Sequence, residues 1–400
     1  MKIGTTGLNP KQKKAYKETL YGESKIVLLT GQAGTGKTFT TARIAKDYPG
    51  SVAITATTNK AKEVLSNMAF SKANTTHSFA GYTMVRQGKS QYLAPVRDSK
   101  YADLVIIEEM SMLPQSVWCT IKNQLDEGLI KKVLLLGDPV QLPAIGITID
   151  LGCVDYVNVE LTEQMRQDNN LELATYFSRF RRAIETKDYK FDPLENLPSC
   201  ITVIESFPKF VKQYKATEDN KKIVAYSNSV VDKYNSNINN GGFKQGDEVV
   251  LDKPLGMAKN GDIVEVTEAL NYDTYYALGL LVHGERFAVR HYKTKTALTE
   301  YLENTTSDEQ YWQRYDECFN LKHQYACTVH KAQGSSYSHV FVDLSDIKAQ
   351  LDKKPTSHNN YAKPIAYNTY LRLVYVALSR MRHSATVYLG NTRTYNLLRS

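Results

Sequence analysis

The sequence is short of the residues that staple or anchor a fold. Its five cysteines, Cys119, Cys153, Cys200, Cys318 and Cys327, are scattered and form no C-x-x-C pair. That spacing excludes a disulfide framework and a thiolate zinc site, and it fits free thiols in a reducing cytosol. No apolar run approaches the roughly 20 residues of a membrane-spanning helix. The opening residues, MKIGTTGLNP, lack the apolar stretch of a secretory signal. The expected location is therefore cytoplasmic, with no membrane partner. There is no internal repeat and no low-complexity tract.

What is present suits a globular chain with more than one domain: 400 residues, 42% hydrophobic and 23% charged. The net charge of +8 lies entirely in residues 321–400, which hold 11 Lys or Arg against 3 Asp. A basic segment of this kind can bind a polyanion, or it can be an ordinary solvated face.

Short apolar runs alternate with helical stretches. Asn9 as N-cap and Pro10 at the first helical position predict a helix over 9–21. Strands are predicted at 25–30, 51–55, 104–108 and 133–136, each followed by a loop rich in polar residues or glycine. This is the pattern of a parallel sheet with ligand groups at its carboxyl edge. A second α/β pattern starts near residue 155, with strands at 221–225, 340–344 and 386–389 and a helix near 228–239. Between them, residues 243–292 alternate apolar and polar around glycine turns, as in a small antiparallel barrel, and 293–320 read as an acidic, solvated helical arm. YTMVR and QYLAP flank the turn QGKS and predict a β-hairpin within about 81–96.

The segment GQAGTGKT, 31–38, follows the strand KIVLL and fits a phosphate-binding loop. Glycines let backbone N–H groups face phosphate oxygens, and the helix behind adds its positive end. Gly31, Ala33, Gly34, Thr35 and Gly36 would line the loop. Lys37 would reach the β and γ phosphates of ATP and Thr38 would hold Mg²⁺. ADLVIIEEMSM places Glu108 and Glu109 at the end of a buried strand. One carboxylate can organise Mg²⁺ and the next can orient or deprotonate the attacking water. In LLLGDPVQLPAI, Gln141 is placed to sense the γ-phosphate.

These segments together resemble the motifs of superfamily 1 helicases, and further matches follow in the family's order. LNPKQ resembles the adenine-reading segment, with Gln12 as reader. ATTNKAKEVL and TTHSF resemble the first strand-contacting motifs. LTEQMRQ resembles motif IV, with Arg166 as a trans-domain arginine. AYSNSVVDKYN resembles the start of the second motor domain's DNA-facing side. CTVHKAQGSSYSHVFV resembles motif V, which includes Gly334 beside the nucleotide. YVALSRMRH resembles motif VI, with Arg380 as arginine finger. TVHKAQG and YVALSR point to the RecD-like and Dda-like branch, superfamily 1B. The compact length and absence of a large N-terminal extension are most similar to phage Dda-type helicases, which would place the chain in a bacterial host's cytosol.

The resemblance implies an α/β fold of two RecA-like motor domains: domain 1A over 1–154 with a 1B hairpin, and domain 2A over 155–242 and 326–400. An SH3-like β-barrel, domain 2B, would fill 243–325. It also implies a monomeric ATP- and Mg²⁺-dependent DNA helicase acting 5′ to 3′ in replication, recombination or repair. Its partners would be single-stranded and forked or tailed duplex DNA, with a single-strand-binding or replisome protein. Implied strand contacts are Thr58, Lys60, Thr76, His77, Asn228, Thr328, His330, Lys331 and Ser335, with Tyr82, Met84 and Tyr92 as wedge groups on the hairpin. The family normally has Asp-Glu where this chain has Glu108-Glu109. Two alternatives stay open: a translocase that displaces proteins with little unwinding, and a nucleic-acid-binding module with an impaired ATP site.

Overall fold

The computed structural model describes residues 7–32, 34–56, 74–95, 100–138, 140–142, 151, 155–163, 171–238, 242–352 and 365–390. These fall into two compact units. The first comprises residues up to 85, 92–196 and 371–379; the second comprises 86–91, 197–370 and the residues from 380 onward.

The first unit is built on a six-stranded parallel sheet. Its strands are β1 (Ile26–Gly31), β2 (Val52–Ala56), β3 (Asn74–Thr75), β6 (Leu104–Glu108), β7 (Lys132–Gly137) and β8 (Tyr156–Leu161), in the order β3-β2-β6-β7-β1-β8. Every residue of β1 and of β7 is buried, because helices cover both faces. One face packs Tyr16 and Ile44 from the helices Pro10–Tyr21 and Lys37–Asp47. The other packs Phe79, Trp118 and Ile121. The first helix starts as its sequence dictates. The Asn9 side chain accepts from Gln12 N, Gln12 Oε1 accepts from Asn9 N, and Pro10 stands at the first turn.

Strand β8 corrects the expected division at residue 155. It pairs with β1 in parallel register, Ile26 with Tyr156 through Gly31 with Leu161. The helix Leu171–Thr186 also belongs to the first unit, which runs to Asn196. Strand pairing decides the boundary here, and a motif order cannot report it.

The second unit holds a five-stranded parallel sheet, ordered β16-β10-β17-β18-β9. Its strands are β9 (Ile201–Ile204), β10 (Lys221–Ala225), β16 (Ala326–Thr328), β17 (Tyr337–Asp343) and β18 (Met381–Tyr388). Inserted in it is a five-stranded antiparallel sheet, ordered β14-β13-β12-β11-β15: β11 (Glu248–Val250), β12 (Ile263–Asn271), β13 (Tyr275–Val282), β14 (Glu285–Tyr292) and β15 (Lys322–His323). This insert has its own apolar core, including Val249, Val266, Leu280 and Phe319. Two helices, Lys295–Glu303 and Asp308–Glu317, leave β14. They are tied down by Arg290 and Arg314, which donate to Tyr301 Oη and Tyr301 O, each at 2.7 Å.

Strands β4 (Tyr82–Gln87) and β5 (Ser90–Pro95) form the expected hairpin. Its tip, 86–91, is grouped with the second unit. Arg86 makes a bidentate pair with Asp316 at 3.0 and 2.5 Å and lies 4.3 Å over the Trp312 ring. Trp312 Nε1 donates to Gly88 O at 2.7 Å, and Gln91 Nε2 donates to Tyr315 Oη at 2.9 Å. The acidic arm therefore holds the hairpin tip as well as facing solvent.

Candidate active site and nucleic-acid interface

The phosphate loop joins β1 to the helix that starts at Lys37. Gly31 lies so close to β8 that a Cβ there would sit 2.7 Å from Leu161 O and 2.8 Å from Thr35 Oγ1. Gly36 caps the helix with φ +82°, a conformation costly for any residue with a side chain. The Lys37 ammonium donates to Gly31 O at 2.5 Å and Gln32 O at 2.9 Å. It thus folds back over the loop it would otherwise extend from. Burial lowers its pKa, opposed by the charges of Asp138, Glu108 and Glu109.

Three acids stand at the carboxyl edge of neighbouring strands. Glu108 ends β6, and burial, then the charge of Glu109, pushes its carboxyl up to about 7. Glu109 adopts the left-handed conformation, φ 56°, ψ 52°, which starts a short 3-10 turn. Non-glycine residues held there are strained, and such strain gathers at functional sites. Asp138, after β7, was missed in the sequence. It is 2% exposed, and its Oδ1 accepts from Arg181 Nη1 at 2.7 Å and from Val140 N at 3.1 Å. Its Oδ2 is buried with no hydrogen-bond partner among the described residues. Gln141, 6% exposed, likewise has a buried Oε1 without a partner among them. The signal for Asp138 was its place in GDPVQ, one residue after a buried strand.

Gln12 differs from the expected adenine reader. It has no exposed surface, completes the cap with Asn9, and donates from Nε2 to Thr35 O at 3.2 Å. Its visible role is to brace the phosphate loop. Thr162 and Glu163 also meet the first helix: Asn9 Nδ2 donates to Glu163 Oε2 at 3.1 Å, and Lys11 Nζ to Thr162 Oγ1 at 3.0 Å. Thr38 is half-buried at the start of its helix. Its hydroxyl, the Glu108 carboxylate and the Asp138 Oδ2, which has no partner among the described residues, are oxygen donors of the kind a hard cation such as Mg²⁺ takes. Ala33, Thr58, Lys60 and Arg166 lie outside the described residues.

The expected strand contacts divide by burial. In the first unit Thr76 is fully buried and donates to Thr55 Oγ1 at 3.2 Å, which corrects its reading as a strand contact. His77 is half-buried, edge-on to Tyr82 at 6.2 Å, and burial lowers its pKa. Tyr82 packs against the core rather than projecting, whereas Met84 and Tyr92 are exposed. In the second unit Asn228 and Lys331 are exposed and His330 is half-buried, with its pKa lowered by burial. Thr328 and Ser335 are buried. The Thr328 side chain caps the helix Val329–Ala332, and Ser335 O accepts from Arg380 Nη1 at 3.3 Å. Both shape the loop around Gly334, φ +71°, instead of presenting hydroxyls. Gln333, between them, went unnoticed in the sequence. It is 2% exposed, and neither end of its amide has a hydrogen-bond partner among the described residues. Arg380 is also buried. The Asp346 carboxylate accepts from Tyr226 N, Ser227 N and Ser227 Oγ, each at 2.7 Å, and so fixes the turn before Asn228.

Among the described residues no group of three or more His, Cys, Asp or Glu could hold a metal ion, and no helix is long and apolar enough to cross a membrane. An AAA domain family model matches residues 7–188. The ATP-dependent RecD2 DNA helicase of Deinococcus radiodurans is 32% identical over 149 residues, 36% of this chain and 20% of that protein. The chain thus spans about a fifth of the length of the curated relative it matches. A Bacteroides Pif1 helicase crystallised with ADP-AlF3 and single-stranded DNA superposes with a TM-score of 0.53 at 15% identity, over 98% of this chain and 96% of that one. A Pif1 structure describing DNA unwinding at forked duplex DNA by two coordinating helicases gives 0.51 at 16% identity, over the same shares. At such identities the likeness is one of fold. With the ordered motifs and the phosphate site above, the chain resembles the helicases of superfamily 1B.

Proposed function

We propose that the chain is an ATP-dependent DNA helicase that moves 5′ to 3′ on single-stranded DNA and separates forked or tailed duplexes. The observation that carries the reading is the clustering of Lys37, Glu108, Glu109, Asp138 and Gln141 at the carboxyl edge of one parallel sheet, β6-β7-β1. A cation for phosphate, acids for metal and water, and an amide for the terminal phosphate are what phosphoryl transfer to water needs. Thr38 and Glu108 would hold Mg²⁺, which neutralises phosphate charge when bound. Lys37 would leave its two carbonyls for the β and γ phosphates. Glu109 would take or orient the proton of the attacking water. Arg166 and Arg380 would stabilise charge on the transferred group.

In this reading the first unit is motor domain 1A with the 1B hairpin, and the second is motor domain 2A carrying an SH3-like 2B insert. The hairpin would split the duplex, its tip held by the arm through Arg86, Gly88 and Gln91. Asn228, His330 and Lys331 would meet the strand through its phosphates, giving sequence-independent, salt-sensitive binding. Steady-state ATPase with and without single-stranded DNA tests the reading. Stimulation by DNA and loss in Glu109→Gln are expected; DNA-independent or absent hydrolysis would overturn it.

A further inference from the structure

After β7, Asp138 and Gln141 are each held by an arginine from outside the strand. Arg181, in the helix Leu171–Thr186, pairs with the Asp138 carboxylate. Arg372, in the helix Tyr367–Leu378, donates from Nη1 to Gln141 O at 2.8 Å. We propose that Arg372 is a positioning residue for Gln141, setting where its side-chain amide meets the terminal phosphate and the attacking water. The proposal rests on the ATPase reading above.

Only the main chain of Gln141 has fixed polar contacts among those described: its N–H donates to Asp138 O at 3.0 Å and its carbonyl accepts from Arg372. Its side-chain Oε1 is buried without a partner among the described residues. An acceptor left unmade in the interior is costly and is tolerated where a ligand completes it. A water held against a phosphate is such a ligand, since its O–H can donate to Oε1 while the amide NH₂ donates to a phosphate oxygen. Because Oε1 has no partner among the described residues, its aim depends on the backbone that Arg372 holds. A guanidinium is well suited to this, because it keeps its charge and presents N–H groups in a fixed plane. Its burial lowers its pKa, and the nearby Asp138 and Glu185 carboxylates oppose that shift. No motif signals Arg372; in the sequence it is an ordinary arginine eight positions before Arg380.

The test uses the full chain and measures DNA-stimulated kcat and KM, binding of a fluorescent ATP analogue and thermal melting. Arg372→Met and Gln141→Ala should each lower kcat by about tenfold or more while analogue affinity stays within about threefold, the pattern of an interaction made in the transition state. The double variant should be no slower than the slower single one, because both changes remove the same function. Arg372→Lys should recover part of kcat, and it keeps the test open if the methionine variant fails to fold. Losses that multiply in the double variant would overturn the proposal, as would unchanged kcat with a lowered melting point in Arg372→Met. A fully active Gln141→Ala beside an inactive Lys37→Ala would remove the sensor role and the proposal with it. A wild-type chain without DNA-stimulated hydrolysis would instead refute the helicase reading itself.

Discussion

The two parallel sheets share an architecture and differ in what they leave unsatisfied at their carboxyl edges. In the first, Lys37, Glu108 and Asp138 crowd together. Burial works against the charge on Lys37 and Glu108, and oxygen atoms of Asp138 and Gln141 have no partner among the described residues. In the second, Asp343 accepts from Tyr234 Oη, Ser345 Oγ and Asp346 N, and Asp346 accepts three hydrogen bonds from the turn at Tyr226 and Ser227. Buried polar groups are ordinarily paired. The first edge thus leaves buried oxygens open among the described residues, whereas the second spends its acids on holding loops in place. Gln333 and the Ser335 hydroxyl are exceptions at the second edge, since both are buried with no hydrogen-bond partner among the described residues.

The contrast is broken most severely at Lys37. Lys37→Ala should lower turnover by about 1000-fold, the scale of losing one preorganised charge donor, and leave single-stranded DNA binding largely intact. Fluorescence anisotropy beside an ATPase assay checks both halves. If the first sheet's edge were only structural, turnover would survive.

The buried ion pair gives the next largest effect. Arg181→Met strands the Asp138 carboxylate in the interior, which should cost about 3–5 kcal/mol in denaturant unfolding. Adding Asp138→Asn should return most of that stability but not the ATPase, because Asp138 faces the phosphate site.

The pH dependence is smaller and has a defined sign. A carboxyl raised from its ordinary range to about 7 favours the protonated form in the folded, nucleotide-free protein. Its contribution to stability is present below the ordinary carboxylate range and is lost as pH rises through about 7. Melting of the nucleotide-free protein should therefore fall across that window, and the slope should flatten in Glu108→Gln. Mg²⁺ needs the ionised carboxylate, so the Mg²⁺ requirement of the ATPase should ease over the same range.

The smallest effect on stability is expected at the hairpin. The Arg86–Asp316 pair is solvent-exposed and worth about 1 kcal/mol or less. Arg86→Ala, or a Gly-Ser turn replacing Lys89–Tyr92, should leave melting and DNA-stimulated ATPase nearly unchanged while lowering the number of base pairs opened per ATP. Unchanged unwinding per ATP would make the hairpin a surface feature.

Much of this was legible in the sequence. Local signals found the strands at 104–108 and 221–225 without error and the first helix through its Asn9 cap, because those segments carry uninterrupted apolar runs or explicit capping residues. The hairpin was visible as a turn between two β-prone runs, and the phosphate loop as a spacing of glycines before Lys37. Strand β8 was not legible as part of the first sheet. Its alternation of exposed and buried residues, Tyr156 to Leu161, suits any edge strand, and only its pairing with β1 assigns it. Burial was equally hidden. Thr76, Thr328 and Ser335 carry hydroxyls of the right kind in the right motifs, yet each is turned inward, and one-dimensional spacing does not report which way a short loop faces. Asp138 was overlooked beside its neighbour Gln141, since its weight comes from Arg181, 43 residues away in sequence.

The most direct test is strand separation on paired duplexes that differ only in carrying a 5′ or a 3′ single-stranded tail. With ATP and Mg²⁺ the 5′-tailed duplex should open and the 3′-tailed duplex should not, and Lys37→Ala should open neither. Opening of the 3′-tailed substrate alone would reverse the polarity, and failure to open either, despite DNA-stimulated ATP hydrolysis, would contradict the helicase assignment.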